Sequence, residues 1–201
     1  MSSEPIREES KIHPEGARID YVAGLWDLPE EPTGAPILLA HGAGLPMRSE
    51  FMESMALGLA TGGHPVLRFN YPYAQIMEMG GSRRPPDRRE PLLATHRKAL
   101  AVLTERFPDP RPIMAGKSMG GRMASMLAVE EDNVSRLLFY GYPLHPPGKP
   151  EKQRTEHFPA LTQPALFLQG DRDALCTLDL LQPALETYGG TPTLQVIEGA
   201  D

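Results

Sequence analysis

The residue with the clearest chemical potential in this sequence is Ser118, at the centre of the pentapeptide GKSMG at 116–120. Glycine at both ends of a G-x-S-x-G sequence suits a sharp turn from a strand into a helix, because neighbouring backbones pack too closely there for side chains. Such a turn holds the serine in a strained conformation with its hydroxyl exposed. An apolar run at 113–115 precedes the pentapeptide, and apolar residues recur at helical spacing over 119–127. The sequence therefore predicts a nucleophile elbow, in which the Ser118 hydroxyl attacks a carbonyl carbon.

Two other interpretations apply to the same residues. The tripeptide GKS at 116–118 could end a phosphate-binding loop of the form G-x-x-x-x-G-K-[ST]. The first glycine of that pattern would fall at position 111, which is occupied by Arg111. The other alternative is an ordinary strand–helix junction in which Ser118 is the helix N-cap. The rest of the chain favours the elbow.

A serine hydroxyl is a weak nucleophile until a histidine takes its proton, and that histidine must be held by a carboxylate. Asp173 is the predicted carboxylate because it lies in the turn after an apolar strand at 164–168. Asp171 is the rival acid, but a turn residue immediately after Gly170 is better suited to capping the loop. All six histidines precede Asp173, at positions 13, 41, 64, 96, 145 and 157.

Acyl transfer also needs hydrogen-bond donors for the oxyanion, each worth on the order of 3 kcal/mol when backbone amides are aimed in advance. The N–H of Met119, directly after the nucleophile at a helix N-terminus, is one predicted donor. The second is expected from the glycine-rich loop HGAG at 41–44, with the N–H of Ala43 preferred and that of Gly44 as the alternate. His41 precedes the nucleophile and lies at a strand end, so we interpret it as a structural support of this loop.

Composition excludes several classes of function. The formal net charge of −6 and the pI near 5.5 provide no basic surface for nucleic acid. No apolar run approaches the ~20 residues of a membrane span or follows a basic start as in a signal peptide. The single cysteine, Cys176, has no partner for an internal disulfide. We expect a soluble cytoplasmic protein that acts on a small-molecule acyl substrate without nucleic acid, membrane, metal or cofactor; the sequence gives no indication of its oligomeric state.

Apolar runs that alternate with helical patterns predict the architecture. Strands are expected to begin at 37, 66, 112, 137, 165 and 193, and helices at 49, 92, 119 and 178. This order is typical of an α/β protein with a doubly wound, mostly parallel sheet that carries helices on both faces. Ligands of such sheets bind beyond the carboxyl ends of the strands, where Ser118 and Asp173 both lie. We expect residues 1–16 to be a polar flexible N-terminus and residues 17–201 to form a single domain.

Two connections bear on access to this site. The segment 74–91 is the longest predicted irregular stretch. Its four arginines could bind an acidic substrate or form an ordinary solvated loop; they are Arg83, Arg84, Arg88 and Arg89. The connection at 145–160 is too short for a separate lid domain, which predicts an open cleft.

From position 37 onward the chain resembles the α/β-hydrolase fold. It resembles more specifically the small bacterial hydrolases related to the dienelactone hydrolases and to the human testis-expressed hydrolase-like proteins. Five segments carry this resemblance: HGAG at 41–44, RFNYPY at 68–73, GKSMGGR at 116–122, GYPLHPPGKP at 141–150 and LQGDRD at 168–173. The resemblance implies Ser118 as nucleophile, Asp173 as acid and the oxyanion donors named above, and it implies no defined substrate.

One departure from the family's pattern concerns the base. Members of this family carry the catalytic histidine just after the last strand, in a stretch resembling Gly-Ala-Asp-His, whereas this sequence stops at Asp201. We therefore expect a serine hydrolase of a small ester, thioester or lactone that lacks its C-terminal segment here, and a 201-residue chain that is inactive. The alternative is a non-catalytic α/β-hydrolase-fold protein used for binding or as a scaffold. Acyl transfer to an acceptor other than water would use the same residues.

Overall fold

A computed structural model describes residues 4–201, which are built around one sheet of eight strands. The strands, numbered along the chain, are β1 Ile6–Ile12, β2 Val22–Leu28, β3 Ile37–Ala40, β4 Val66–Phe69, β5 Ile113–Lys117, β6 Arg136–Tyr140, β7 Ala165–Gly170 and β8 Pro192–Ile197. Their spatial order is β1-β2-β4-β3-β5-β6-β7-β8. The pairs β1–β2 and β2–β4 are antiparallel, and all other neighbouring pairs are parallel. The predicted mostly parallel sheet is confirmed.

Helices cover both faces of this sheet. They are α1 Glu50–Thr61, α2 Pro72–Glu78, α3 Arg89–Arg106, α4 Met119–Ala128 and α5 Leu178–Glu186. The side chains of β3 show the two layers, because Ile37 and Leu39 pack in a core with α1, whereas Leu38 and Ala40 pack in a larger core with α3, α4 and α5. All four are buried, as a parallel strand covered on both faces requires. None of the helices in residues 4–201 is both long and apolar enough to cross a membrane.

The parallel strands end at one edge of the sheet, where the predicted site residues follow them. The HGAG loop comes after β3, Ser118 after β5 and Asp173 after β7. Between β6 and β7 the chain forms only loops and a short 3-10 helix at Phe158–Ala160. The expectation that no separate lid domain covers this edge is therefore confirmed for the described residues.

The N-terminal segment differs from the prediction of a polar flexible terminus over residues 1–16. Residues Ile6–Ile12 form the edge strand β1 along β2, so that prediction is wrong for this stretch. The strand is polar because most of its side chains are exposed at the edge, and its order comes from backbone pairing with β2. Glu8 adds an ion pair with Arg106 of α3 at 2.8 Å. Residues 1–3 lie outside the described residues.

The segment 74–91 is more regular than its sequence indicates. Helix α2 continues to Glu78 and α3 begins at Arg89, so the irregular part is limited to 79–88. Pro72 occupies the first position of α2, where its fixed φ suits a helix start. A helix of seven residues is too short to show a periodic pattern, and its first four residues are buried, so tertiary packing accounts for it.

Candidate active site

Ser118 lies between β5 and α4 in a backbone conformation that residues with a side chain rarely adopt. Its φ is 50° and its ψ is −116°, and it is the one non-glycine residue with positive φ in residues 4–201. Two hydrogen bonds maintain this conformation: Ser118 N–H donates to the Tyr140 carbonyl at 3.0 Å, and Arg122 N–H donates to the Ser118 carbonyl at 3.1 Å. Ser118 is partly exposed, and its side-chain hydroxyl forms no hydrogen bond with any residue of the described chain. It is therefore available for reaction.

Close backbone contacts explain the two glycines of the elbow. A Cβ atom on Gly116 would lie 2.4 Å from the carbonyl carbon of Gly120, and one on Gly120 would lie 2.4 Å from the carbonyl oxygen of Ala40. Optimal contacts between non-bonded heavy atoms are about 3.5–4.0 Å, so neither position accepts a side chain without movement. The contact with Ala40 holds the first turn of α4 against the end of β3, beside the loop that follows.

The loop after β3 turns its amide hydrogens to one side. The carbonyl of Gly42 accepts a hydrogen bond from the His41 ring at 2.7 Å and one from the Tyr73 hydroxyl at 3.1 Å. The same hydroxyl lies 3.1 Å from the Ala43 carbonyl. Since the C=O and N–H of a trans peptide point in opposite directions, the N–H groups of Ala43 and Gly44 point away from His41 and Tyr73. Neither N–H donates to another residue between 4 and 201.

These amides lie beside the nucleophile. A Cβ atom on Gly42 would be 3.6 Å from the Cβ of Ser118. The N–H of Met119 belongs to the first turn of α4, where amides have no intrahelical acceptor. Ser118, Met119 and Ala43 together line a cavity of about 390 Å³. Gly44, the alternate donor, lines an adjoining cavity of about 300 Å³, which Ala43 also lines.

His41 supports the loop as a neutral ring. Burial lowers its pKa from the ordinary value of 6.5 to about 4. Its Nε2 accepts a hydrogen bond from Tyr71 N–H at 3.1 Å, so the ring proton lies on Nδ1 and is donated to the Gly42 carbonyl. These contacts agree with the structural role expected for His41.

Asp173 follows β7 and is held at both carboxylate oxygens. Oδ2 accepts a hydrogen bond from the Gln169 side-chain amide at 2.8 Å, and Oδ1 accepts one from Leu175 N–H at 2.8 Å. The loop after β6 passes close by, since a Cβ atom on Gly141 would lie 3.5 Å from Oδ2. Asp173 itself does not line the cavity of Ser118, but Leu175 does. The carboxylate is thus fixed by two hydrogen bonds, two residues before a residue that lines the cavity, and each oxygen keeps a lone pair for a further donor.

Asp171, the rival acid, has a different partner. Its Oδ1 accepts a hydrogen bond from Gly199 N–H at 2.7 Å at the surface, which is the loop-capping role expected for it. Nearby, Arg172 N–H donates to the Ala200 carbonyl at 2.9 Å. The residues after β8 are therefore held against the turn that leads into Asp173.

The six histidines have other partners. None of them hydrogen-bonds Ser118 or Asp173 in the part of the chain that the structure describes. A serine–histidine hydrogen bond of 2.7 Å joins Ser125 and His157, but this serine is fully buried and so faces no substrate. The remaining rings bond backbone carbonyls or a tyrosine hydroxyl; they are His13, His41, His64, His96 and His145.

Sequence reasoning missed four side chains that contribute to this site. Gln169 could have been noticed, because a polar residue that ends an apolar strand is often held by a buried partner. Arg122 follows Ser118 by one helical turn, which places it on the same face of α4. Tyr73 ends the segment RFNYPY, which carries the family resemblance but gives this residue no role, and no pattern in the sequence marks Arg154.

The arginines of the segment 74–91 are distributed over several surfaces. Arg89 lines the cavity of Ser118, and Arg83 and Arg84 line the adjoining cavity. Arg88 lines a third pocket of about 490 Å³, which Arg84 also lines. A role for this group in binding an acidic substrate stays a prediction.

Comparison with known proteins agrees with the architecture. The sequence pattern of the alpha/beta hydrolase domain matches residues 33–201. A dienelactone hydrolase from Anabaena variabilis has a TM-score of 0.79 at 21% identity, over 99% of this chain and 88% of that one. An esterase from Pyrococcus furiosus has a TM-score of 0.78 at 14% identity, over 97% and 82% of the two chains. An α/β serine hydrolase without lid from Xanthomonas campestris has a TM-score of 0.73 at 18% identity, over 96% and 84%.

Structural similarity at such low identity establishes the fold, and function has to be argued from the site. The match of the sequence pattern is the stronger finding, because it includes the loop after β3, the elbow and Asp173. By that match, which extends over most of its length, the chain belongs to the α/β-hydrolase family.

Proposed function

We propose that this protein is a serine hydrolase that cleaves a small ester, thioester or lactone through an acyl-enzyme on Ser118. Membership of the α/β-hydrolase family supports a hydrolase. One observation carries the serine mechanism: the strained backbone of Ser118 holds an unpartnered hydroxyl in a 390 Å³ cavity that Met119 and Ala43 also line.

The first half of the reaction forms the acyl-enzyme. Ser118 Oγ attacks the substrate carbonyl carbon while its proton passes to a histidine base, which gives a tetrahedral intermediate. The N–H groups of Met119 and Ala43, with Gly44 as the alternate, donate to the oxyanion and contribute on the order of 3 kcal/mol each. Collapse of the intermediate expels the alcohol or thiol, which takes the proton from the histidine. Water activated by the same base then attacks the acyl group and releases Ser118.

The proposal assigns the base to a histidine that follows Asp201, with Asp173 accepting the hydrogen bond from its other ring nitrogen. The family resemblance supports this assignment. So does the packing of Gly199 and Ala200 against the turn before Asp173, because the next residues would start close to that carboxylate.

Comparison of two chain lengths tests the base. Extension of the 201-residue chain by its natural residues beyond Asp201 should raise kcat for a 4-nitrophenyl ester, because loss of a triad member costs on the order of 10⁶. The extended chain in which the new histidine is replaced by alanine is the control. Equal rates from the short and extended chains would contradict the assignment.

Covalent labelling tests the nucleophile. The full-length protein should react with a fluorophosphonate at Ser118 and hydrolyse 4-nitrophenyl esters with a preference for one acyl chain length. Ser118→Ala should abolish both signals and leave the fold intact, because the hydroxyl forms no hydrogen bond with the described residues. A residual rate near that of the parent would remove Ser118 from the mechanism.

A second candidate function is binding without catalysis, as in α/β-hydrolase-fold proteins that have lost a triad member. The observation that favours it is the lack of any described histidine bonded to Ser118 or Asp173. A folded full-length protein that neither reacts with the fluorophosphonate nor hydrolyses 4-nitrophenyl esters of any acyl chain length would favour this alternative.

A further inference from the structure

Two arginines line the cavity of Ser118 from different elements. Arg122 belongs to the first turn of α4, and Arg154 belongs to the connection between β6 and β7. Both side chains are half-buried. A chain with a formal net charge of −6 thus concentrates positive charge around its candidate nucleophile.

Neither arginine has a carboxylate partner. Within residues 4–201, no carboxylate oxygen lies within 4.0 Å of a side-chain nitrogen of Arg122 or Arg154, although the chain has many acidic residues. The Nε of Arg122 is buried without a hydrogen-bond acceptor. Arg89 lines the same cavity but is exposed and pairs with Glu90 at 3.0 Å. A buried N–H without an acceptor is costly, so an anion that accepted a hydrogen bond from the Nε of Arg122 would remove that cost.

The two charges also act on each other. Burial lowers the pKa of Arg154, and the positive charge of Arg122 lowers it further, while Tyr142 and Glu156 act in the opposite direction. Asp87 faces the same cavity, but its Oδ2 accepts a hydrogen bond from Tyr73 N–H at 2.8 Å and it forms no ion pair with either arginine. An anion between two like charges relieves their repulsion and is attracted by both.

Backbone contacts hold both arginines in place. Arg122 N–H donates to the Ser118 carbonyl at 3.1 Å, one helical turn beyond the nucleophile. Arg154 N–H donates to the Leu144 carbonyl at 2.7 Å, and its own carbonyl accepts a hydrogen bond from the Tyr142 hydroxyl at 2.9 Å. The positive charges are therefore attached to ordered backbone on two sides of the cavity.

We propose that Arg122 and Arg154 bind an anionic oxygen group, a carboxylate or a phosphate, on the substrate whose ester carbonyl reacts at Ser118. The planar guanidinium fork matches the oxygen geometry of both groups. This assignment rests on the proposed function, since it defines a substrate class for the same site. The cavity volume of about 390 Å³ restricts the substrate to a small anionic ester.

Binding to the non-hydrolysing Ser118→Ala protein, measured by isothermal titration calorimetry, tests the proposal independently of catalysis. The ligands are monomethyl adipate, its neutral analogue dimethyl adipate, and methyl 5-phosphonopentanoate. We expect at least one anionic ester to bind more tightly than dimethyl adipate, with an affinity that falls as NaCl is added. Tighter binding of the carboxylate ester or of the phosphonate ester identifies which of the two groups the site binds.

Arginine variants in the same background locate the binding. Arg122→Gln and Arg154→Gln should each weaken binding of the anionic ester on the order of tenfold to a hundredfold. Both variants should leave the affinity for dimethyl adipate unchanged. Arg122→Lys should retain part of the affinity because it keeps the charge. Arg136→Gln is the control, since it removes an equal charge from an exposed residue at the start of β6, at the opposite end of that strand from the cavity, and should change binding less than twofold. Melting temperatures near that of the parent show that the variants are folded.

Two results would contradict the proposed anion-binding role of Arg122 and Arg154. One is equal binding of all three esters, or binding of none, by the Ser118→Ala protein. The other is a loss in Arg136→Gln as large as that in Arg122→Gln and Arg154→Gln. Failure of Ser118 to label or hydrolyse would instead remove the proposed function and leave a measured preference for anions standing.

Discussion

Gln169 holds the carboxylate of Asp173 through a 2.8 Å hydrogen bond from its side-chain amide to Oδ2. The other end of the same amide accepts a 2.8 Å hydrogen bond from Tyr142 N–H. Gln169 is fully buried, so its side chain cannot turn without leaving a buried group unpaired. The last residues of β7 thus orient the candidate acid before any histidine binds to it.

Gln169→Leu should lower both stability and catalytic rate. It leaves Tyr142 N–H without an acceptor, which costs roughly 1–3 kcal/mol of unfolding free energy, and it frees Oδ2 of Asp173. Urea unfolding measures the loss of stability. The kcat of the full-length protein on a 4-nitrophenyl ester measures the loss of catalytic rate. Gln195→Leu, an exposed change on β8, is the control and should alter neither. An unchanged kcat in Gln169→Leu would mean that Asp173 needs no such support.

Tyr73→Phe should lower kcat with little change in KM. The hydroxyl that is lost contacts the carbonyls of Gly42 and Ala43, so the amides opposite them lose their fixed direction. We expect a decrease on the order of tenfold to a hundredfold, less than deletion of an oxyanion donor. Tyr188→Phe is the matched control. The Tyr188 hydroxyl donates a 2.9 Å hydrogen bond to the Gln163 carbonyl, and neither residue lines the cavity. Similar kcat values for the two variants would show that Tyr73 has only a structural role.

Gly120→Ala should destabilise the fold, because the new Cβ would meet the Ala40 carbonyl oxygen at 2.4 Å. Either α4 or β3 must shift, and we expect a cost of about 3 kcal/mol or more. Gly58→Ala is the matched control within helix α1, where a Cβ meets nothing within 4 Å. That change should stabilise the protein by roughly 0.5–1 kcal/mol. Equal melting temperatures for the two variants would contradict the close contact at the elbow.

Three histidines should make the fold less stable in mild acid. Burial lowers the pKa of His41 and His157 to about 4 and that of His96 to about 3, from the ordinary 6.5. Below pH 6.5 these rings take up protons in the unfolded chain and stay neutral in the folded one until about pH 4. The unfolding free energy is therefore largest above pH 6.5 and falls as the pH drops, by on the order of 1 kcal/mol per unit for each ring.

Urea unfolding at pH 7 and pH 5 measures this loss. His96→Gln should reduce it, since that ring is the most strongly shifted and is fully buried. His13→Gln, a change at an exposed ring, should leave it as in the parent. Stability that is flat between the two pH values would show that the buried rings do not govern acid sensitivity.

Much of the candidate site was predictable from the sequence because it depends on local backbone geometry. The glycines around Ser118 specify a tight turn from strand to helix whatever the rest of the chain does. The central strands were equally visible, since a strand such as β3 that is buried on both faces is a continuous apolar run. The positions of Asp171 and Asp173 in the turn after β7 favoured Asp173 as the acid, and this assignment stays a prediction.

Other features emerged only from the tertiary structure, because they depend on contacts between distant parts of the chain. Strand β1 has a polar sequence and is ordered by pairing with β2, which no local pattern records. Tyr73 reaches the loop after β3 because β4 lies beside β3 in the sheet, and Arg154 reaches the cavity of Ser118 because the connection after β6 returns across it. Periodicity reports which face of an element is buried, whereas strand order and packing determine which side chains meet.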